Sequence, residues 1–579
     1  MTTVEGVDAG SVTELQSRGM LVTKVGSHGV CVVWSDGQAY AVDDRCPHLG
    51  FPLHRGSVED GLLTCHWHHA RFDLCSGGTL DPFADDVRTY PVEIRDDRVI
   101  VLSPPVSDPT PALLARLDEA LEQGLSLVMA KSVLGLLDGG ASPVETVRRG
   151  VSFGTTHRRE GWGTGLTVLI AMANLLPQLD PADRALALVQ GLTFLSRDTR
   201  GRADHFPLAP LAGDVAPERL AGWYRRFIET RADDGAERSL VTAIARGPDA
   251  RPAIERFLFA ATTDHVFIDG GHTLDFTNKA FEALDLLGWE AADSVLPALV
   301  PQTASARRLE EQGSWRHPYD LAGLARSAAD RLAADGDVLL KGGGVSDDEV
   351  SALAWRLLDS QAAEDPGAAI GGLLDSLMAG FTPEQVGRAV ALAAGLRVTR
   401  FHTQNDHMDW DVVHHGFTYA NALHQALTRE PSVELLRGAV HGALKVFLDR
   451  FLNVPAARVA PVAGARLEDL QACWDAQGHV DEAGGIVYGW LQEHHDPGPV
   501  ITALGHALVS EDAAFHWFQT VEAAARQARA WPEGSEPQAL LLAGAARFLA
   551  AHTPTRRELP QLVRIATRLR RGEDLFEET

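Results

Sequence analysis

Cysteine is scarce in this chain: there are 5 among 579 residues, at positions 31, 46, 65, 75 and 473. So few and so scattered, they exclude a disulfide-stapled extracellular scaffold and fit a reducing, cytoplasmic setting. Positive charge is also in deficit. Lys and Arg number 52 against 78 Asp and Glu, a net charge of −26. That balance argues against a nucleic-acid or anionic-membrane partner. Long apolar runs are missing too. The longest, "LTVLIAMANLL" (166–176), falls well short of the ~18–20 residues needed to span a bilayer. The opening "MTTVEGVDAG" has neither the basic nor the apolar region of a secretory signal. The length suits about three or four domains.

Two of the scarce cysteines carry the clearest signal. They open the loops "CPHLG" (46–50) and "CHWHHARFDL" (65–74), which supply Cys46 with His48 and Cys65 with His68. Two thiolates and two imidazoles suit a [2Fe–2S] cluster of unequal ligation, with thiolates on one iron and imidazoles raising the potential of the other. Tetrahedral zinc is the alternative for the same four ligands. A zinc finger, however, places its His pair after its Cys pair, whereas here each Cys is followed by its own His.

With Pro47 and Gly50 shaping the first loop and "RFDLCSGG" (71–78) following the second, the chain resembles the Rieske domain family over about residues 12–103. The resemblance implies an N-terminal all-β domain, a Rieske-type [2Fe–2S] cofactor held by Cys46, His48, Cys65 and His68, and one-electron transfer. It also implies an external reductase or ferredoxin as electron donor. Two departures stand out. His69 replaces the family's usual Gly, which predicts a looser second loop or an extra polar group beside the cluster. Respiratory-chain members add a disulfide between the loops; Phe51 and Trp67 occupy those positions here and point to the soluble, low-potential type.

Short β-branched runs fill residues 20–102: "MLVTKV", "VCVVWS", "AYAV", "LLTC", "VRTYPVEI" and "RVIVL". "SPPVSDPTP" (103–111) reads as a stiff linker. Beyond it, apolar residues recur at 3.6-residue spacing over 112–137, 164–179, 216–230, 274–288, 347–378, 383–397, 434–452 and 536–551, which predicts helices. The fold class is therefore α+β multidomain: a β domain at 1–103, a linker at 104–111, and a large all-α region. That region repeats a pattern. Phe153, Thr155 and Trp162 match Phe401, Thr403 and Trp410 in register, and Ser142-Pro143 matches Thr382-Pro383 as a helix start. The match predicts two pseudo-symmetric helical repeats, 112–345 and 346–579.

Two His/Asp clusters lie in the helical region. "DHVFIDGGHTLD" carries His265, Asp269 and His272, and "HTQNDHMDWDVVHH" carries His407, Asp411, His414 and His415. The spacing i, i+4, i+7 puts His265, Asp269 and His272 on one helical face, and likewise His407, Asp411 and His414. Two imidazoles and a carboxylate with open positions suit non-haem Fe(II). Residues i and i+7 lie roughly 10 Å apart along a helix, so such a site needs ligands from a facing helix. Isolated histidines (His157, His205, His506, His516) read as packing or capping residues, and Trp162 and Trp410 as core.

Ring-hydroxylating oxygenase α-subunits share the N-terminal pattern, but their iron motif, Asp-x2-His-x4-His, is incomplete here. Asp411 and His414 are followed by Tyr419, and Asp269 and His272 by Thr277. "HVFIDGGHTLDF" (265–276) and "VVHHGFTYANAL" (412–423) resemble His-bearing helices of questin-oxidase-like proteins. That resemblance implies oxidation of a small, aromatic or polyketide-like substrate. The leading expectation is an oxidoreductase whose cluster relays electrons to a helical, oxygenase-like region. The alternative is a Rieske electron carrier or redox sensor whose helical region docks a partner protein.

Overall fold

A computed structural model describes residues 6–104, 108–358, 365–573 and 575. The expected linker thus lies partly outside the described residues, as do positions 359–364 of the expected helical run 347–378. The chain divides into two compact units, 1–142 with 561–579, and 143–560.

The first unit holds ten strands. They are β1 (Val7–Ser11), β2 (Met20–Val25), β3 (His28–Ser35), β4 (Gln38–Asp43), β5 (Ser57–Glu59), β6 (Leu62–Thr64), β7 (Arg71–Asp73), β8 (Thr89–Tyr90), β9 (Val92–Arg95) and β10 (Arg98–Val101). They form three antiparallel sheets, ordered β1-β10-β9, β2-β3-β4-β8 and β5-β6-β7. Strand β3 explains how the cores are arranged. Val30, Cys31, Val32 and Val33 are all buried, because side chains alternate faces and both faces are covered. Val30 and Val32 pack with Leu15 of the short helix α1 (Val12–Arg18) and with Val99 and Val101. Cys31 and Val33 pack on the other side with Leu63, Phe72, Cys46 and Cys65. Each such apolar side chain contributes about 1.5–3 kcal/mol on burial. The two loop cysteines are therefore part of a core, which fixes the loops that carry them.

Two helices, α2 (Thr110–Gln123) and α3 (Ser126–Asp138), complete this unit with the C-terminal segment. That corrects the expected boundaries: residues 112–142 and 561–579 belong with the β domain and not with helical repeats. The reason is polar as well as apolar. Arg116 of α2 pairs with Asp85, and Lys131 of α3 pairs with the same carboxylate at 3.3 Å. From the C-terminal segment, Leu569 accepts a 2.7 Å hydrogen bond from Arg45.

The second unit is helical among its described residues. The expected division at 345/346 is absent, because helices from either side of it pack together. His272–Leu287 lies against Asp409–Arg429, and Thr164–Leu175 against Phe515–Ala528. The matched sequence segments do form equivalent pairs. Pro143–Thr156 leads through a loop with buried Trp162 to Thr164–Leu175. Pro383–Thr399 leads through a loop to Asp409–Arg429, with buried Trp410 in its first turn. The start of Pro383–Thr399 is a capping box between Thr382 and Gln385, as the pattern predicts.

At the heart of this unit, Lys279 is buried between Glu282 (2.8 Å) and Glu522 (2.9 Å). Asn174 donates to both glutamates. Arg526, 3.3 Å from Glu522 and 3.6 Å from Glu282, supplies the second positive charge, so the buried charges balance and their hydrogen-bonding capacity is filled.

Candidate functional site

The two Cys-His loops are built alike. In each, the cysteine N–H donates to the carbonyl five residues on: Cys46 to Phe51 and Cys65 to Ala70, both at 2.8 Å. In each, the residue four after the cysteine donates back to the cysteine carbonyl, Gly50 at 2.8 Å and His69 at 3.0 Å. Both of these residues are left-handed, with φ of 87° and 62°. The expected loosening by His69 does not occur. His69 accepts the conformation a glycine would take, and its side chain stands exposed.

These turns bring all four expected ligands together. Cys46 and Cys65 are buried, and their thiols are hydrogen-bonded to each other. The His48 and His68 rings meet edge to face with centroids 4.9 Å apart. The bond with Cys46 is the main cause that holds the Cys65 thiol down at about 6; the backbone amides of Trp67 and His68 lower it further. The same bond, together with burial, drives Cys46 up. Burial, then the Lys131 ammonium, depress His48 to about 4, so its ring is neutral. Nδ1 of His48 is buried with no hydrogen-bond partner. Two convergent thiols receiving amide hydrogen bonds and two adjacent imidazoles, one with an orphaned ring nitrogen, fit a cluster with thiolates on one iron and imidazoles on the other. Phe51 and Trp67, which stand where a disulfide joins the loops in respiratory-type relatives, instead bring their rings within 6.0 Å.

Around the loops, Lys131 Nζ donates to the carbonyls of Pro47 (2.6 Å) and His48 (2.8 Å). No pattern in the sequence marked Lys131, since it lies more than 80 residues from the loop it braces. His68 and Trp67 face solvent, so this edge of the site is accessible to another protein.

In the helical unit the expected ligand sets do not assemble. His265, Asp269 and His272 share no helix: Arg251–Thr263 has ended, Asp269 and Gly270 are left-handed, and the next helix begins at His272. His265 is held by Glu310 (2.7 Å) and Glu229 (2.8 Å). Asp269 takes hydrogen bonds from Gln302 and Arg307. Nor do His407, Asp411 and His414 line one face, because Asp409–Arg429 starts after His407. His407 is exposed, its ring tilted against that of His552 with centroids 4.4 Å apart. His414 is fully buried, with Nδ1 2.7 Å from the Thr520 hydroxyl.

What does come together is one histidine from each cluster and one read as packing. His272, His415 and His516 offer ring nitrogens that all lie within 4.8 Å of one another. Ring centroids are 4.7 Å apart for His272 and His415, 4.7 Å for His415 and His516, and 5.8 Å for the stacked pair His272 and His516. Asp411 accepts from His516 Nδ1 at 3.2 Å, and this bond holds its carboxyl below the usual range. Burial first, then neighbouring imidazoles, depress His272 to about 4 and His415 to about 2. An open groove of about 880 Å³ lies elsewhere on this unit, beside Ala221, Phe257 and Ala260; none of these imidazoles lines it.

The first unit thus has the architecture and donor set of a one-electron iron–sulfur protein. The family model for the Rieske [2Fe-2S] domain matches residues 6–91. The ferredoxin component of the naphthalene 1,2-dioxygenase/salicylate 5-hydroxylase systems of Ralstonia sp is 30% identical over 96 residues, covering 16% of this chain and 92% of that protein. The ferredoxin component of the alkene monooxygenase system of Xanthobacter autotrophicus (strain ATCC BAA-1158 / Py2) is 32% identical over 104 residues, 18% of this chain and 85% of that protein. Among solved structures, the ferredoxin of carbazole 1,9a-dioxygenase from Nocardioides aromaticivorans IC177 aligns over 98% of its length and 17% of this chain, at 24% identity and a TM-score of 0.17. Through residues 6–91 the chain belongs to the Rieske [2Fe-2S] domain family, and that domain binds a [2Fe–2S] cluster. Each similarity covers less than a fifth of the chain. Among the described residues, no helix is long and apolar enough to cross a membrane.

Proposed function

We propose that the chain is an oxygenase-type oxidoreductase. Its first unit takes single electrons from an external reductase or ferredoxin, and its helical unit uses them to oxidise a small organic molecule of aromatic or polyketide-like kind. The observation that carries this reading is the presence, on one chain, of a Rieske domain and of a second convergent group of imidazoles in the helical unit. The four ligands proposed for the cluster are Cys46, His48, Cys65 and His68. When bound, the cluster supplies reversible one-electron chemistry at a potential raised by imidazole ligation.

The chain's own residues do the rest. Lys131 fixes the Pro47 and His48 carbonyls and sets a positive charge beside the loops. His68 and Trp67 give a donor protein an exposed edge to dock on. In the helical unit, Asp411 holds a proton at His516 Nδ1. Buried Trp410 and Phe548 pack around His414 and exclude water from that side. Non-haem Fe(II) is the second cofactor this reading calls for, since imidazoles with open positions suit it.

The relatives named above are ferredoxin components, which favours a second reading: an electron carrier or redox sensor whose helical unit docks a partner protein. Oxygen uptake separates the two. The full chain is supplied with NADH and a ferredoxin reductase and offered a panel of aromatic and polyketide-like compounds. The oxygenase reading expects uptake coupled to product, abolished by Cys65→Ser and by His516→Ala alike. Electron transfer to an added acceptor with no compound-dependent uptake supports the carrier.

A further inference from the structure

We propose that His272, His415 and His516 together bind one divalent first-row transition-metal ion, with Asp411 as the outer carboxylate that orients His516. The site deepens the function proposed above and rests on that reading for its purpose, though not for its evidence.

The three imidazoles come from three separate helices: His272 from the first turn of His272–Leu287, His415 from the second turn of Asp409–Arg429, and His516 from the first turn of Phe515–Ala528. Ligands from facing helices are how helical bundles build metal sites. Their ring nitrogens already lie within 4.8 Å of one another. Bonds of about 2.0–2.1 Å to a shared ion require that triangle to close further around it.

The hydrogen bonding of His516 is the sharper observation. Its Nδ1 meets the Asp411 carboxylate at 3.2 Å, so Nδ1 donates and Nε2 is left for another partner. That Nε2 is buried and has no hydrogen-bond partner. A buried polar atom left unpaired is costly, and an ion ligated there removes the cost. A carboxylate on the far nitrogen of a histidine is also the usual outer arrangement of a metal-bound imidazole, where it fixes tautomer and ring direction.

Placement of His272 adds a third observation. The turn before it strings together four left-handed residues: Phe267 (φ 47°), Asp269 (φ 49°), Gly270 (φ 69°) and Gly271 (φ 95°). The two non-glycine residues among them are strained by this conformation. Strain of this kind persists where the surroundings impose it, and it clusters at binding sites. Here it ends on the residue that meets His415 and His516. All three ligands are imidazole nitrogen donors, which suit zinc, iron, copper or nickel and not magnesium or calcium.

Zinc is the probe of choice, because it is counted separately from the iron of the N-terminal cluster. The full-length protein, cluster intact, is dialysed against Zn(II) in the presence of a competing chelator, and zinc per chain is measured by mass spectrometry. We expect one zinc per chain. The zinc is lost in His415→Ala and in His516→Ala. Asp411→Asn leaves every ligand in place and weakens binding about 10–100-fold. His479→Ala, at the separate Cys473–His479–Glu482 group, leaves this zinc bound. Absence of zinc from the wild type, retention in both His415→Ala and His516→Ala, or loss only in His479→Ala overturns the site. Far-UV circular dichroism of each variant identifies any that fails to fold, and Asp411→Asn then carries the test. No turnover is involved. Zinc binding without compound-dependent oxygen uptake keeps the site and defeats the functional reading; uptake without zinc binding does the reverse.

Discussion

Gly50 and His69 are structural equivalents: each donates its N–H to the carbonyl of the cysteine four residues before it, at 2.8 and 3.0 Å, and each is left-handed. Glycine takes that conformation without penalty, whereas His69 at φ 62° costs about 1–2 kcal/mol. His69→Gly therefore stabilises the folded loop by about 1 kcal/mol, the added freedom of the unfolded chain offsetting part of the gain. Thermal loss of cluster absorbance checks it: the midpoint rises in the variant, and a fall contradicts the account.

Lys131 braces the first loop from α3 through two carbonyls. A cation there favours the more negative, reduced state of the site. Lys131→Met lowers the reduction potential by tens of millivolts, on the order of 1 kcal/mol for a charge within about 10 Å of a half-solvated site. Lys131→Arg keeps the potential near that of the wild type. Spectroelectrochemical titration of the three proteins reads the difference directly.

Asp275 sits in the helical core, where burial pushes its carboxyl up to about 7, against the pull of Lys279 and with the push of Glu282 and Glu522. Its folded value lies above the unfolded one. The stability it supports is complete below about pH 4 and is lost as pH rises through about 7. Asp275→Asn removes the loss. The variant matches wild type near pH 4 and exceeds it above pH 7, by roughly 4 kcal/mol at most, since each tenfold change in proton affinity is worth about 1.4 kcal/mol. Urea denaturation at pH 4.5 and pH 8 checks the sign.

Lys279, together with Arg526, neutralises two glutamates in the same core. Lys279→Met leaves both carboxylates buried without it and destabilises the helical unit by about 3–5 kcal/mol. Replacing Lys279, Glu282 and Glu522 together by apolar residues of similar size recovers much of that loss. Denaturation of the single and triple variants decides it.

The N-terminal site was legible because its proposed ligands are local. Cys46 and His48 fall in one turn, Cys65 and His68 in another, and the β runs that carry them alternate in the period of two seen at Val30–Val33. Lys131 was not legible, since only the fold brings α3 to that loop. In the helical unit, composition and periodicity gave the right class of element, but ligand geometry depends on where helices begin. Asp409–Arg429 starts two residues after His407, so the 407/411/414 spacing describes no single face. The left-handed turn at Asp269–Gly271 likewise separates His265 from His272. The glycine pair was the visible warning of that break. Neighbouring residues on a helix point about 100° apart, and this alone sends His414 into the core and His415 towards His272. His516 lay a hundred residues from the second cluster and more than two hundred from the first, and carried no signal of its own. The domain boundaries failed for a related reason, because salt bridges and hydrogen bonds assign 112–142 and the C-terminal segment to the β unit.

The central claim is that electrons held by the Rieske unit are used in the helical unit. It is tested most directly by reducing the full chain anaerobically by one electron, mixing it with oxygen, and following decay of the reduced-cluster EPR signal in wild type and in the His415→Ala/His516→Ala double variant. We predict decay at least tenfold slower in the double variant, with the reduction potential of the N-terminal unit unchanged. Equal decay rates in the two proteins would contradict the claim and leave the chain an electron carrier.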